Sequence, residues 1–150
     1  MEPYEIVPVQ PADRPTLAAL LSESGLPLDG LEDHLAATIV ARDASAILGC
    51  AALEVYGTDA LLRSVAVAAE HRGKGLGEAL TAAAIARARQ RGVRAIYLLT
   101  ETAERFFPRF GFEETTREAV PDAVKASVEF TTACPASATV MVLPLRSGES

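Results

Sequence analysis

Leu61-Leu62-Arg63-Ser64-Val65-Ala66-Val67-Ala68-Ala69-Glu70-His71-Arg72-Gly73-Lys74-Gly75-Leu76-Gly77 is the stretch whose reading decides the fold. An apolar run gives way to a loop holding three glycines, Arg72 and Lys74, and an alanine-rich segment then continues to Arg91 and Gly92. That succession reads as strand, loop and helix. Glycine lets a backbone approach a ligand closely and takes positive φ without a Cβ clash. The first N–H groups of the following helix lack partners within it, and the helix dipole adds partial positive charge at the same end. Such a terminus suits a phosphate. The spacing Arg72-x-x-Gly75-x-Gly77 is neither a Walker loop nor a full dinucleotide fingerprint, since Ala79 and Leu80 stand where a third glycine is needed. A plain strand-to-helix turn also uses glycines, so the loop alone leaves both readings open.

Downstream, the expected helix over 75–91 sets Leu76, Leu80 and Ala83 on its buried side. Arg87, Arg89 and Arg91 lie in its last turns, where cations complement the dipole. Residues 95–100 are almost continuously apolar, the pattern of a strand buried on both faces. Strand, crossover helix and strand of this length form a βαβ unit, so the strands over 60–67 and 95–100 should be parallel.

Upstream, strands over 38–42, 46–56 and 60–67 are joined by tight turns and form an antiparallel meander, with Gly49 a candidate bulge. Residues 4–9 read as a short strand. Asp13 can cap a helix that carries Pro15 in its first turn and Leu17, Leu20 and Leu21 on one face, and Gly25 ends it. Residues 27–35 read as a shorter helix with Leu28, Leu31 and Leu35 inward. Beyond the crossover, 102–110 is expected to be helical and closed by Gly111, 121–127 helical, and 138–145 a final strand. The fold class is therefore α/β, a mixed sheet with both antiparallel and parallel pairs.

The chain has 150 residues, enough for one ordinary domain, placed over 1–146 with a loose tail at 147–150. The net charge is −6 with no block of like charge, which speaks against nucleic acid as a partner. The local cation pair suits a small anion better than a polymer. No signal peptide is evident, and no apolar run approaches the length that spans a membrane, so a cytoplasmic location is the default. Cys50 and Cys134 make neither a disulfide framework nor a metal pattern, and no metal is expected.

The loop resembles the Arg/Gln-x-x-Gly-x-Gly/Ala loop of the GNAT acetyltransferases, which wraps the pyrophosphate of acetyl-CoA. Phe106-Phe107-Pro108-Arg109-Phe110-Gly111-Phe112 resembles the close of the GNAT core, and the element order matches that family over essentially the whole chain. The resemblance implies that the strand before the loop splays from the next one and that acetyl-CoA, a cosubstrate, enters the gap. Ala66 and Val67 would then offer backbone groups to the pantetheine arm, and Arg72, Gly73, Lys74, Gly75, Leu76 and Gly77 would surround the pyrophosphate. An N–H near Ala66 would steady the oxyanion formed when an amine attacks the thioester.

Several positions depart from the family pattern. Phe107 stands where a tyrosine often protonates the departing thiolate, and Thr100, whose hydroxyl would hold the pantetheine arm or a water, stands where an Asn is frequent; both positions would face the cofactor. The thiolate of CoA leaves readily, so loss of an acid worth about 10²–10⁴-fold need not abolish turnover. Tyr97 and Tyr56 are substitutes, or core aromatics. Arg63 stands where many members carry a catalytic Glu. Either it is an ion pair with a carboxylate such as Glu54, or it clamps an acidic group on the acceptor. Glu54 is the first candidate for the base, directly or through water.

The stretch Phe130-Thr131-Thr132-Ala133-Cys134-Pro135-Ala136-Ser137-Ala138 is similar to one near the end of the ArsN-type branch found in arsenic-resistance operons. Leu62-Arg63-Ser64 and 98–107 share that resemblance. It implies an acceptor such as a phosphinate- or arsinate-bearing amino acid, with Arg63, Cys134 and Ser137 as substrate-binding residues. For Cys134 a small residue that shapes a loop is the plainer reading. The leading function is thus acetyl transfer to the primary amine of a small molecule in a ternary complex. The competing readings are an acyl-CoA-binding regulator without turnover and a protein or peptide N-acetyltransferase. Pairing of final strands in a homodimer, frequent in the family, stays open.

Overall fold

The computed structural model describes residues 3–26, 28, 32–44, 46–100, 105–127 and 138–145. Four strands, β1 (Glu5–Pro8), β2 (Thr38–Arg42), β3 (Ile47–Tyr56) and β4 (Asp59–Val67), pair in succession, each antiparallel to the last. Two-residue turns suffice for such neighbours, and Gly57 takes φ +67° in the β3–β4 turn. β5 (Ala95–Thr100) joins β4 in parallel after the crossover helix α2 (Leu76–Gln90). β7 (Thr139–Pro144) lies antiparallel to β5, and β6 (Glu113–Thr115) closes the edge beyond it, giving the order β1-β2-β3-β4-β5-β7-β6. The mixed α/β sheet expected from the sequence is the one found.

α2 covers one face. Leu76, Leu80, Ala84 and Ala88 recur at four-residue spacing and are buried against Ile39, Leu53, Leu62, Ile96 and Leu98 of the sheet. Ala83, expected on this stripe, is only half-buried. On the opposite face α1 (Arg14–Glu23) buries Leu17, Leu20 and Leu21 against Val40, Cys50 and Ala66. Beside it, the short helix α3 (Asp122–Lys125) sets Val124, with Val120, against Leu61, Tyr97 and Val140.

Several local expectations are corrected. Asp13 sits at the N-cap of α1, but its carboxylate accepts from Gln10 N–H at 2.9 Å and pairs with Arg42 at 2.6 Å instead of capping. The bond from Arg42 holds the Asp13 carboxyl below the usual carboxylate range. Of the helix expected over 27–35, the described residues hold a 3-10 helix at Glu32–Ala37; residues 27 and 29–31 lie outside them, and Leu28, expected inward, is exposed. Of the helix expected over 102–110, the described residues hold a 3-10 turn at Phe107–Phe110, and 101–104 lie outside them. Pro108 lies at the start of that turn and Gly111, at φ +99°, ends it. Near Gly49 the extra residue is Leu48: Ala41 pairs with Gly49 and Arg42 with Ile47. Gly49 itself answers a closer constraint, since a Cβ there would lie 2.7 Å from the Ala66 carbonyl oxygen and 2.9 Å from Leu80 Cδ1.

Candidate functional site

β4 and β5 pair over three residues only, Asp59 with Ala95, Ala60 with Ile96 and Leu61 with Tyr97. Both strands run on, to Val67 and to Thr100, without further ladder pairing. A V-shaped gap opens from Leu61 toward the glycine loop. β5 keeps β7 on its other side as far as Thr100, and β4 keeps β3 as far as Val67, so the sheet parts between these two strands. β4 carries a bulge beside the gap. Cys50 pairs with Ala66 and Ala52 with Arg63, so Ser64 and Val65 together face Ala51 alone. Ser64 takes φ +58°, a conformation uncommon for a residue with a Cβ. The Cys50 thiol donates to the Ser64 carbonyl oxygen at 3.1 Å from beneath. Burial pushes that thiol up from its usual 9.0 to about 12, so it serves as a packed donor and not as a thiolate.

At the open end, the chain leaves Val67 through a 3-10 turn at Ala69–His71 and enters the glycine loop. Arg72 Nε donates back to the Val67 carbonyl at 3.0 Å, which folds the loop over the end of β4. Gly73 and Gly75 stand at φ +78° and +83°, and Gly75 is the N-cap of α2. Arg72, Gly73, Gly75, Leu76 and Gly77 line one wall of a cavity of about 270 Å³ into which Val67 also points. The facing wall is Phe106 and Arg109, with His71 and Glu78 at its margins. Lys74 is exposed and does not line it. A fifteen-residue helix thus ends its dipole on a cavity rimmed by cations.

At the vertex lies a buried polar cluster. Glu54, fully buried on β3, receives Arg63 Nη1 at 2.7 Å on Oε2 and Ser127 Oγ at 2.6 Å on Oε1, and the Tyr56 hydroxyl also donates to Oε1. Strand alternation brings this about: Glu54, Tyr56, Leu61 and Arg63 share the face that α3 covers, and Ser127 follows α3. Burial, then the neighbouring Glu54, pushes the Tyr56 hydroxyl up from 10.0 to about 12. Burial also raises Tyr97.

Of the two readings of Arg63, the ion pair with Glu54 is therefore present. Glu54 is enclosed and meets solvent nowhere. Ala66 and Val67 lie on the free length of β4 beside the gap, and Thr100 lies at the far end of β5, paired with Thr139. Phe107 turns into the core, 5.7 Å from the Phe112 ring centroid, and it is its neighbour Phe106 that lines the cavity. Consecutive residues of one tight turn point to different sides, a phase that the motif alone does not reveal. Cys134 and Ser137 lie outside the described residues. Sequence reasoning missed Phe106, Arg109, Glu78 and Ser127. The first two sat inside the recognised motif, which carries no signal to tell a cavity-facing position from a core-facing one.

Comparison with known proteins adds three findings. A family model for the acetyltransferase (GNAT) domain matches residues 34–114. An uncharacterized N-acetyltransferase of Chlorobaculum tepidum is 32% identical over 98 residues, 65% of this chain and 63% of that protein. An amino-acid acetyltransferase of Aeromonas salmonicida is 34% identical over 86 residues, 56% of this chain but 19% of that one. The matched stretch thus covers under two thirds of either relative. Among solved structures, N-acetylglutamate synthase from Neisseria gonorrhoeae, complexed with coenzyme A and N-acetyl-glutamate, superposes with a TM-score of 0.83 at 23% identity. That likeness covers 98% of this chain and 36% of the synthase, and it is a likeness of fold.

Proposed function

Because the chain belongs to the GNAT acetyltransferase domain family, we propose that it transfers the acetyl group of acetyl-CoA to the primary amine of a small, amino-acid-like molecule. The observation that carries this reading is the arrest of the β4–β5 ladder at Leu61 and Tyr97, directly in line with the glycine loop. The diphosphate of the cosubstrate rests on the loop amides and the α2 terminus, and its arm follows the unpaired edge of β4. An arm laid along that edge brings its thioester beside the bulged segment, on the loop side of the vertex cluster. An N–H of the bulged segment near Ala66 steadies the developing oxyanion.

Arg63 faces the acceptor's acidic group while holding Glu54, since a guanidinium carries five donors in a fork. Glu54 has no exposure and already accepts from three groups, so its service as base runs through the Tyr56 hydroxyl: that oxygen takes the amine proton as its own passes to Glu54. An acceptor of this class is supported by the amino-acid acetyltransferase relative and by the N-acetyl-glutamate held in the fold neighbour. Phosphinate- and arsinate-bearing amino acids, which the ArsN-type resemblance suggests, belong in the same panel.

Thiol release from acetyl-CoA, followed with acidic, neutral and basic amino acids and with peptides, tests the reading. Turnover with the acidic panel, and an Arg63→Lys variant with raised acceptor KM and unchanged acetyl-CoA affinity, are the expected results. Tight acetyl-CoA binding without any turnover would replace the enzyme by an acyl-CoA-binding regulator. Turnover confined to peptides would move the acceptor to a protein.

A further inference from the structure

The wall of the cavity opposite the glycine loop carries a charge arrangement that the loop reading does not use. Arg109 Nη1 donates to Glu78 Oε1 at 2.8 Å across the mouth, from the turn after β5 to the first turn of α2. Its guanidinium carbon stands 5.7 Å from the centroid of the Phe106 ring, and Phe106 in turn approaches Gly77. Arg109 and Glu78 side chains are 62% and 54% exposed, so nothing buries the pair, and an exposed ion pair is weakly held. Glu78 occupies the third residue of α2, where a carboxylate satisfies the same dipole that an incoming phosphate would meet. Beside them, His71 Nδ1 is shielded from solvent and has no hydrogen-bond partner among the described residues. The cavity therefore contains one anion, Glu78, standing in at an anion site, and polar groups left for another.

We infer that Glu78 and Arg109 form an exchangeable latch on the cofactor cavity: Arg109 turns from Glu78 to the diphosphate of coenzyme A, and Glu78 competes with that diphosphate. This rests on the proposal that the cavity binds acetyl-CoA. The exchange is electrostatically natural. A diphosphate offers more charge and more acceptor oxygens to a forked guanidinium than one carboxylate does. Phe106 limits where Arg109 can go, since the cation stays over the ring face as it swings. Removing Glu78's charge then strengthens cofactor binding, and removing Arg109 weakens it twice over, by losing a donor and by leaving Glu78 uncompensated beside the anion.

Isothermal titration of CoA into the wild type, Glu78→Gln, Arg109→Gln and the double variant tests this. Arg109→Gln is expected to weaken CoA roughly ten-fold, Glu78→Gln to tighten it a few-fold, and the double variant to bind better than Arg109→Gln alone. The slope of log Kd against log salt should fall in Arg109→Gln. Repeating the set with dephospho-CoA separates the two anionic sites of the ligand. A persisting Arg109 penalty supports the diphosphate, and a penalty that vanishes overturns that assignment in favour of the 3′-phosphate. Equal CoA affinity in wild type and Arg109→Gln, or weaker binding in Glu78→Gln, overturns the latch. Gly75→Val, measured alongside, keeps the two levels apart: if it abolishes CoA binding while Arg109→Gln changes nothing, the cavity reading stands and only the latch falls. A wild type that binds no CoA overturns both.

Discussion

The two ends of the cleft are made of different material. At the mouth, backbone does the work: two glycines at positive φ, the free N–H groups of α2 and the carbonyl of Val67 that anchors Arg72. At the vertex, side chains do it: a fully buried Glu54 holds Arg63, Tyr56 and Ser127 from three separate segments. Backbone sites depend on local conformation, so they are specified by a few adjacent residues. Side-chain sites depend on tertiary convergence, and Ser127 comes to Glu54 from 73 residues away. The mouth should therefore break in binding and the vertex in stability.

The largest effect is expected from Glu54→Ala. It leaves Arg63, 5% exposed, as a buried cation without its carboxylate, and breaking a buried pair from one side costs about 3–5 kcal/mol. Urea denaturation should show that loss with an unchanged m-value. A change under about 1 kcal/mol would mean that solvent already reaches the cluster, and the contrast between the two ends would fail.

What could be read from the residues follows the same division. The meander, the crossover helix, the parallel pair and the glycine loop all rest on short-range periodicity and turn chemistry, and the sheet built from them was legible. β6 was not, because three residues, Glu113–Thr115, carry no periodicity to detect. The 3-10 form of the turn at Phe107–Phe110 was not legible either, since four residues with Pro108 among them are too few to show a helical period. In the site, Arg63 and Glu54 could be named as partners from strand register. The third and fourth members could not: Ser127 depends on where α3 docks, and Tyr56 was left between site and core. The Ser64 bulge had no signal, since serine is an ordinary strand residue until the register around it is known.

The second prediction probes the packing beneath that bulge. The Cys50 thiol keeps its proton in the fold to about pH 12, and in the unfolded chain only to about 9. Above pH 9 the unfolded state binds fewer protons than the folded one, so stability falls as pH rises. By pH 10.5 the loss from this group is about 2 kcal/mol, with a smaller share from Tyr56, whose pKa moves the same way. Cys50→Ala should flatten the decline between pH 8 and 10.5 relative to wild type. Parallel curves would show that the thiol reaches water.

At the mouth, Gly75→Val should reduce CoA affinity by more than about ten-fold, since a left-handed residue with a Cβ costs roughly 1–2 kcal/mol and a branched one more. A Cβ at Gly75 meets nothing within 4 Å. The harm is therefore conformational, and the fold should lose little: the denaturation midpoint stays within the range of an ordinary surface change. If stability drops as far as in Glu54→Ala, the loop is part of the core, and the mouth and vertex are not separable.

The smallest expected effect, Gly77→Ala, sharpens the comparison within the loop itself. Gly77 lies in the first turn of α2, outside the positive-φ region, and a Cβ there would approach Phe106 at 3.6 Å and Val67 Cγ2 at 3.8 Å, ordinary contact distances. Alanine also suits a helix better than glycine does, by up to about 1 kcal/mol in a helix interior. CoA affinity should then stay within about two-fold of wild type by titration, with a slightly raised Tm. Two glycines two residues apart would thus differ because one is needed for its φ and the other is not. A ten-fold loss in Gly77→Ala would show instead that the phosphate sits against the Gly77 Cα itself, which would place the diphosphate deeper toward Phe106 than the backbone donors of Gly73 and Gly75 require.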